Sequence, residues 1–280
     1  MKKIGFIDYR LDEWHANNYP AWIAQANEAL GTDYRVAYGW AEEAEPEGLL
    51  STAAWCAKFG AEPCDTLEAL CEKSDALLIL APSNPEKHLP YAERALRFGK
   101  LTYIDKTFAP DAATARRLFE LSREWGAKIF STSALRYAEE LKAFERPYSA
   151  FVAGGGSSLE EYCVHQLEMI VCLMGVGARS VVCAGGRDHA ICHIEYDGGR
   201  SAALIYGANM PYALDVQRNA GTASEYAPVN SAFFPNLLKD IIMFYEGGKE
   251  PVPQGETIEC MKLREAVLRA AAEPGTRVAV

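Results

Sequence analysis

From residue 3 to residue 131, short apolar runs alternate with stretches whose apolar residues recur at helical spacing. Lys3–Ile7 predicts a strand, and Pro20–Leu30 a helix closed by Gly31. Tyr34–Tyr38 predicts a second strand, and Leu49–Phe59 a helix ending at Gly60. Asp65 reads as the cap of a short helix, with Glu68 three residues on completing a capping box. Ala76–Leu80 is apolar without interruption, as expected of a strand covered on both faces. Glu86–Phe98 is a helix stopped by Gly99, and Leu101–Ile104 a strand. Asp111 caps a helix that runs to Trp125 and stops at Gly126, and Lys128–Ser131 is a last strand. Strands separated by helices of this length imply right-handed crossovers, hence an α/β domain with a doubly wound parallel sheet over residues 1–133.

Past residue 134 the pattern changes. Leu159–Met174 is helical, while Ser180–Ala184, Ala190–Tyr196 and Arg200–Tyr206 alternate as strands, the last two joined by Asp197-Gly198-Gly199 as a tight hairpin. Helices near Asn236–Tyr245 and Glu256–Ala272 follow. Hairpin-joined strands with helices on one face predict a separate α+β domain, residues 134–280, whose open sheet is largely antiparallel. Along Ala190–Tyr196, Ile191, His193 and Glu195 share one face and Cys192, Ile194 and Tyr196 the other. Apolar side chains therefore fall on both faces, which predicts a homodimer or larger homo-oligomer built on the uncovered one.

Composition narrows the partners. A net charge of -10 disfavours nucleic acid and anionic membranes, whose phosphates the long-range field repels. The apolar run after Lys2-Lys3 is too short for a signal-peptide core, and no later stretch is apolar enough to span a bilayer. None of the eight cysteines forms a Cys-x-x-Cys pair, so they read as buried free thiols of a cytoplasmic protein.

Three segments carry candidate chemistry. Ser83-Asn84-Pro85-Glu86-Lys87-His88 follows the strand ending at Leu80, at the edge where open parallel sheets bind ligands. Ordinary helix capping accounts equally for Pro85-Glu86, and His88 can simply lie on a helix face. Lys106 closes another apolar strand at the same edge, where a desolvated lysine can donate a proton or polarise a hydroxyl. The alternative is a solvated strand-end lysine. Glu161 and His165, four residues apart, share a helix face on which a carboxylate can orient an imidazole, or form a plain surface pair. A metal reading rests on Glu161, His165 and Glu168 alone.

In this order the segments resemble the Gfo/Idh/MocA family (glucose–fructose oxidoreductase, inositol dehydrogenase and relatives). Ser83–His88, Gly99-Lys100, Asp105-Lys106-Thr107 and Glu161-x-x-x-His165 stand at the places of the family's motifs, and Arg136 resembles an arginine often found after the last strand of its first domain. The resemblance implies a Rossmann-type domain followed by an open-sheet domain that often dimerises. It implies a nicotinamide cofactor, NAD or NADP, exchanging hydride with a hydroxyl-bearing carbon of a sugar, cyclitol or related small molecule. Lys106 and His165 would manage the hydroxyl proton from one cleft, Glu161 would tune His165, and Arg10, Ser83, Asn84, His88 and Asp105 would lie along the cofactor.

The first loop departs from that pattern. Asp8, Arg10 and Glu13 stand where glycines let a diphosphate approach the backbone at a helix N-terminus. Tyr38-Gly39-Trp40 offers no acidic residue for the adenosine ribose. Thr107 replaces a proline and Glu161 an aspartate. The expectation is an oxidoreductase with weak or altered dinucleotide binding. The rival is a non-catalytic ligand-binding or regulatory protein on the same fold.

Overall fold

The apolar run at residues 76–80 lies inside a sheet. In the computed structural model, which describes residues 1–280, strand β4 (Ala76–Ile79) is buried at every position. It pairs in parallel with β1 (Lys2–Asp8) on one side and β5 (Leu101–Ile104) on the other. With β2 (Tyr34–Ala41), β3 (Glu62–Pro63) and β6 (Ile129–Phe130) the order is β3-β2-β1-β4-β5-β6, all parallel. Chain direction across the sheet reverses between β1 and β4, the switch point at which such sheets open a ligand crevice.

Helices α1 (Trp14–Leu30), α2 (Thr52–Phe59), α3 (Leu67–Lys73), α4 (His88–Ala95) and α5 (Ala112–Trp125) connect these strands. α1, α2 and α5 end on Gly31, Gly60 and Gly126, each left-handed with φ of 68°, 69° and 63°. Four helix starts of this sheet differ from the sequence reading: α2 begins at Thr52, capped by Ser51, rather than at Leu49, and α4 at His88, after a 3-10 turn over Pro85–Lys87, rather than at Glu86. α1 begins at Trp14 and contains Pro20, because the Glu13 carboxylate caps it six residues earlier than the proline suggested. α3 is capped by Thr66, whose hydroxyl accepts from the Ala69 amide, rather than by Asp65.

The second sheet has the order β12-β11-β7-β10-β9-β8-β13. Its strands are β7 (Ser149–Gly154), β8 (Ser180–Ala184), β9 (His189–Glu195), β10 (Ser201–Gly207), β11 (Ala213–Gln217), β12 (Ser224–Pro228) and β13 (Arg277–Ala279). β9 and β10 pair antiparallel around Asp197–Gly199, with Gly198 and Gly199 at φ 69° and 75°. β7 and β10 run parallel, so the sheet is mixed. Helices α6 (Leu159–Met174) and α8 (Gln254–Ala272) pack against it. Along β9, Ala190, Cys192 and Ile194 are buried and Ile191 and His193 exposed, as their alternation requires.

The chain divides into two compact units, residues 1–132 with 234–253, and residues 133–233 with 254–280. The sequence pattern did not anticipate that helix α7 (Phe233–Tyr245) belongs almost wholly with the parallel sheet. There the Phe244 ring meets Phe130 edge-on at 5.0 Å, and the Tyr245 hydroxyl donates to the Leu77 carbonyl at 2.5 Å.

The cysteines require a correction: Cys183 and Cys192 form a disulfide, and the other six are free. They sit directly opposite each other on β8 and β9 with Cα atoms 4.0 Å apart, a cross-strand pairing that spacing alone does not reveal. No helix is long and apolar enough to cross a membrane.

Candidate functional site

Loops leave the carboxyl edge of the parallel sheet after β1, β4 and β5. Lys106 follows β5 with its side chain only 6% exposed, and its Nζ donates to the Pro82 carbonyl at 3.1 Å. The Lys106–Thr107 peptide is cis. A buried amine tied to the next loop is not the solvated strand-end lysine that position alone allowed.

Asp105, beside it, is buried in a polar cluster. Its carboxylate pairs with His15 Nδ1 and accepts from the Tyr19 and Tyr103 hydroxyls at 3.1 and 3.2 Å. Burial pushes this carboxyl up, but His15 and then Lys106 outweigh it and hold Asp105 below the usual carboxylate range. His15 stacks on Tyr19 with ring centroids 5.3 Å apart. Asp105 thus joins the first turns of α1 to the end of β5.

His88 is fully buried, its Nδ1 on the Phe108 carbonyl at 3.0 Å and its Nε2 on the Leu80 carbonyl at 2.6 Å. Burial lowers the pKa of the ring, and the neutral form donates to only one of these carbonyls; enclosed between the β4 and β5 loops, His88 does not lie along a cofactor as expected. Ser83 is exposed and Asn84 half-buried, the Asn84 amide donating to Glu86 at 3.1 Å.

The first loop is closed on itself. Asp8 Oδ1 accepts from the amides of Tyr9 and Ala81 at 2.6 and 3.0 Å, and at 3.4 Å from Arg10. Glu13 caps α1 through the amides of His15, at 2.7 Å, and Ala16. The guanidinium of Arg10 lies 5.1 Å over the Tyr9 ring. Leu11 is buried against Gly39, where any Cβ would stand 2.8 Å from its Cδ1. Past the strand ends, the amides of Glu42 and Glu43 donate to the carbonyls of Asp8 and Tyr9 at 3.1 and 3.0 Å, extending the β1–β2 pairing beyond the sheet. Glu42 is itself engaged by Lys87 and the Tyr91 hydroxyl, each at 2.7 Å. A dinucleotide needs bare backbone amides at the first loop and open space between these strand ends. The residues present do not fit that group.

In the second unit, Ser158 caps α6, the helix that carries Glu161 and His165. His165 Nδ1 is hydrogen-bonded to Ser133 Oγ at 2.7 Å, and the ring lies between Tyr162 and Tyr212 at 5.6 and 6.1 Å. Ser157 donates to the Glu161 carboxylate at 3.4 Å. Glu168 accepts from Arg136 Nε at 2.8 Å, and Arg136 Nη1 donates to Glu256 at 2.7 Å. Glu168 is therefore the partner of a buried guanidinium, and no group of three or more His, Cys, Asp or Glu side chains is placed to hold a metal. Sequence reasoning missed Ser133, His15, Tyr19, Tyr103 and Tyr212. Only His15, next to the altered loop, carried a local signal.

No family model matches the chain. Among curated proteins, dTDP-3,4-didehydro-2,6-dideoxy-alpha-D-glucose 3-reductase of Actinomadura kijaniata is 36% identical over 69 residues, 25% of this chain and 21% of that protein. The match spans only about a fifth of that relative's length. Solved structures cover far more. Myo-inositol dehydrogenase from Lactobacillus casei, in complex with NAD(H) and myo-inositol, superimposes with a TM-score of 0.81 at 13% identity, over 100% of this chain and 96% of its own. The WlbA dehydrogenase from Bordetella pertussis, in complex with NADH and UDP-GlcNAcA, gives 0.75 at 16% identity, over 99% and 98%. The parallel sheet with its switch point at β1 and β4 and the mixed sheet with α6 and α8 against it thus lie in a fold that superimposes along the whole length: this chain has the fold of these dehydrogenases.

Proposed function

We propose that this chain is an oxidoreductase of Gfo/Idh/MocA type acting on a hydroxyl of a sugar, cyclitol or related small metabolite. NAD or NADP is bound weakly, or in a pose that leaves the Asp8–Glu13 loop uncontacted. The observation that carries the reading is Lys106, a buried amine at the carboxyl edge of the parallel sheet, in a fold whose solved neighbours include dehydrogenases holding myo-inositol or a UDP-sugar. In this reading Lys106 and His165 take and return the hydroxyl proton. In the same reading Glu161 tunes the His165 ring from one helical turn away. The protein works as a homodimer joined through the open face of its second sheet.

A second reading, a ligand-binding protein without catalysis, is favoured by the closed first loop. Calorimetric titration with NAD+, NADH, NADP+ and NADPH, each with and without a panel of cyclitols and nucleotide sugars, separates the two. The enzyme reading expects one dinucleotide to bind and to support turnover. Binding of a sugar or cyclitol with no dinucleotide bound at any concentration tested would establish the second reading instead.

A further inference from the structure

The geometry of the first loop points to a function for the residues that make it unlike a dinucleotide site: we infer that the Asp8 and Glu13 carboxyl groups are built-in acceptors, which occupy the phosphate cradle of the parallel sheet in place of a ligand. The inference rests on the reading above only in that both concern the same edge of the sheet.

In a doubly wound sheet the amides after the first strand and those opening the first helix form an anion site, because they lack backbone partners and the helix dipole adds to their positive potential. Here the side-chain partners of those amides are carboxyl groups: Asp8 and Glu13 of the loop itself, and Glu45, which accepts from the Asp12 amide at 3.0 Å. Asp8 Oδ1 gathers Tyr9, Arg10 and Ala81, amides contributed by the ends of two adjacent strands at the switch point. Glu13 gathers His15 and Ala16 from the first turn of α1. Two carboxyl groups therefore satisfy the amides of two halves of one cradle. Asp8 is 1% exposed, its Oδ2 is buried without a hydrogen-bond partner, and Arg10 Nε is buried without one as well. Such groups are costly to bury unless the arrangement holds something together. What it holds is the junction of β1, β4 and α1, which a bound diphosphate would otherwise bridge. The chain's first unit is in this sense permanently liganded by itself.

Inorganic pyrophosphate tests the cradle alone, since it is too small to need the rest of the crevice. The full-length protein, Asp8→Gly, Glu13→Ser and the double variant are titrated with pyrophosphate by calorimetry and followed by thermal melting. Wild type should show no heat and no change in melting temperature. The double variant should bind at least tenfold more tightly than wild type and gain about 2 °C or more at saturation. Glu13→Ser, which keeps a helix cap and is the variant surest to fold, should gain in the same direction by a smaller factor. Asp8→Asn, which keeps the plug, should behave as wild type. Pyrophosphate binding to wild type, or no gain in any variant that melts cooperatively, overturns the inference. The outcome is separable from that of the proposed function, because wild-type turnover with a dinucleotide and no pyrophosphate binding supports both, whereas pyrophosphate binding to wild type sinks this inference alone.

Discussion

Asp8 is a carboxylate placed where the protein gains little from its charge. Burial pushes its carboxyl well above the usual range and Glu13 pushes it further, against the amides of Tyr9, Ala81 and Arg10. The folded chain therefore holds this proton to higher pH than the unfolded chain does. By linkage, the stability Asp8 contributes is fully present below about pH 4 and is lost as pH rises through the raised folded value. Asp105, held low, contributes in the opposite sense, its share being lost as pH falls through its folded value. Asp8→Asn keeps an acceptor for the amides and removes the charge. It should melt at least about 2 °C above wild type at pH 8, roughly what 1 kcal/mol is worth in a chain this size, with the gap closing toward pH 4. A gap independent of pH would show that Asp8 is not the group responsible. At Lys106 the expectation is kinetic: Lys106→Ala should lower kcat by roughly 100-fold or more with a small change in substrate Kd, because proton transfer belongs to the transition state. Steady-state turnover on whichever sugar or cyclitol proves active measures it, and wild-type kcat would remove Lys106 from the chemistry.

Among the elements, the join from β7 to α6 brings two backbones together with no room for a side chain. A Cβ at Gly155 would stand 1.8 Å from the Gly207 carbonyl oxygen, a backbone atom that cannot swing aside. Gly155→Ala should cost about 3 kcal/mol by urea unfolding, at the upper end of overpacking effects, and a cost near zero would mean that β7 and β10 are not paired as described. The β8–β9 pair carries a different check. Cys183 and Cys192 face each other across the ladder, so peptide mapping without reductant should recover residues 183 and 192 in one cross-linked species. Recovery of both as free thiols would refute the pairing. Such a short cross-linked loop adds about 2–3 kcal/mol in the chain-entropy account, which the Cys183→Ser/Cys192→Ser protein should lack.

For the whole molecule, the open face of the second sheet is the feature that bears on assembly. Phe151 (41% exposed), Ile191 (56%) and Tyr226 (68%) stand on it, and strand register puts Tyr226, Asp215 and Phe151 side by side, with Ile191 beside Ile205. Exposed apolar area of this kind marks an interaction surface more often than a solvated one. Light scattering behind size exclusion should therefore give twice the 30.8 kDa chain mass, and Ile191→Lys, which alters no buried position, should shift the protein to monomer. A wild-type mass of one chain at micromolar concentration counts against the dimer. Membership of the units is itself a whole-molecule property. Residues 234–253 rejoin the parallel sheet after six strands of the second sheet, and the chain then returns to add β13 to that sheet.

The sequence by itself determined the elements whose signals are local. Unbroken apolar character marked β4, period-two alternation marked β9 and β10, and glycine stops ended α1, α2 and α5, because backbone preference and side-chain period act over a few residues. It also showed that Asp8, Arg10 and Glu13 stand where a phosphate loop wants glycine, since that is a matter of residue type. Only the tertiary structure decided where those side chains go. Asp8 reaches an amide 73 residues away and His15 a carboxylate 90 residues away, contacts that no local pattern encodes. The same holds for His88, which looked like a ligand-facing residue and instead lies enclosed between two backbone carbonyls, and for Cys183 and Cys192, whose pairing follows from strand register rather than from spacing. Local chemistry chooses the elements, but which polar groups meet inside them is settled when distant strands are brought together and each buried group must find a partner there.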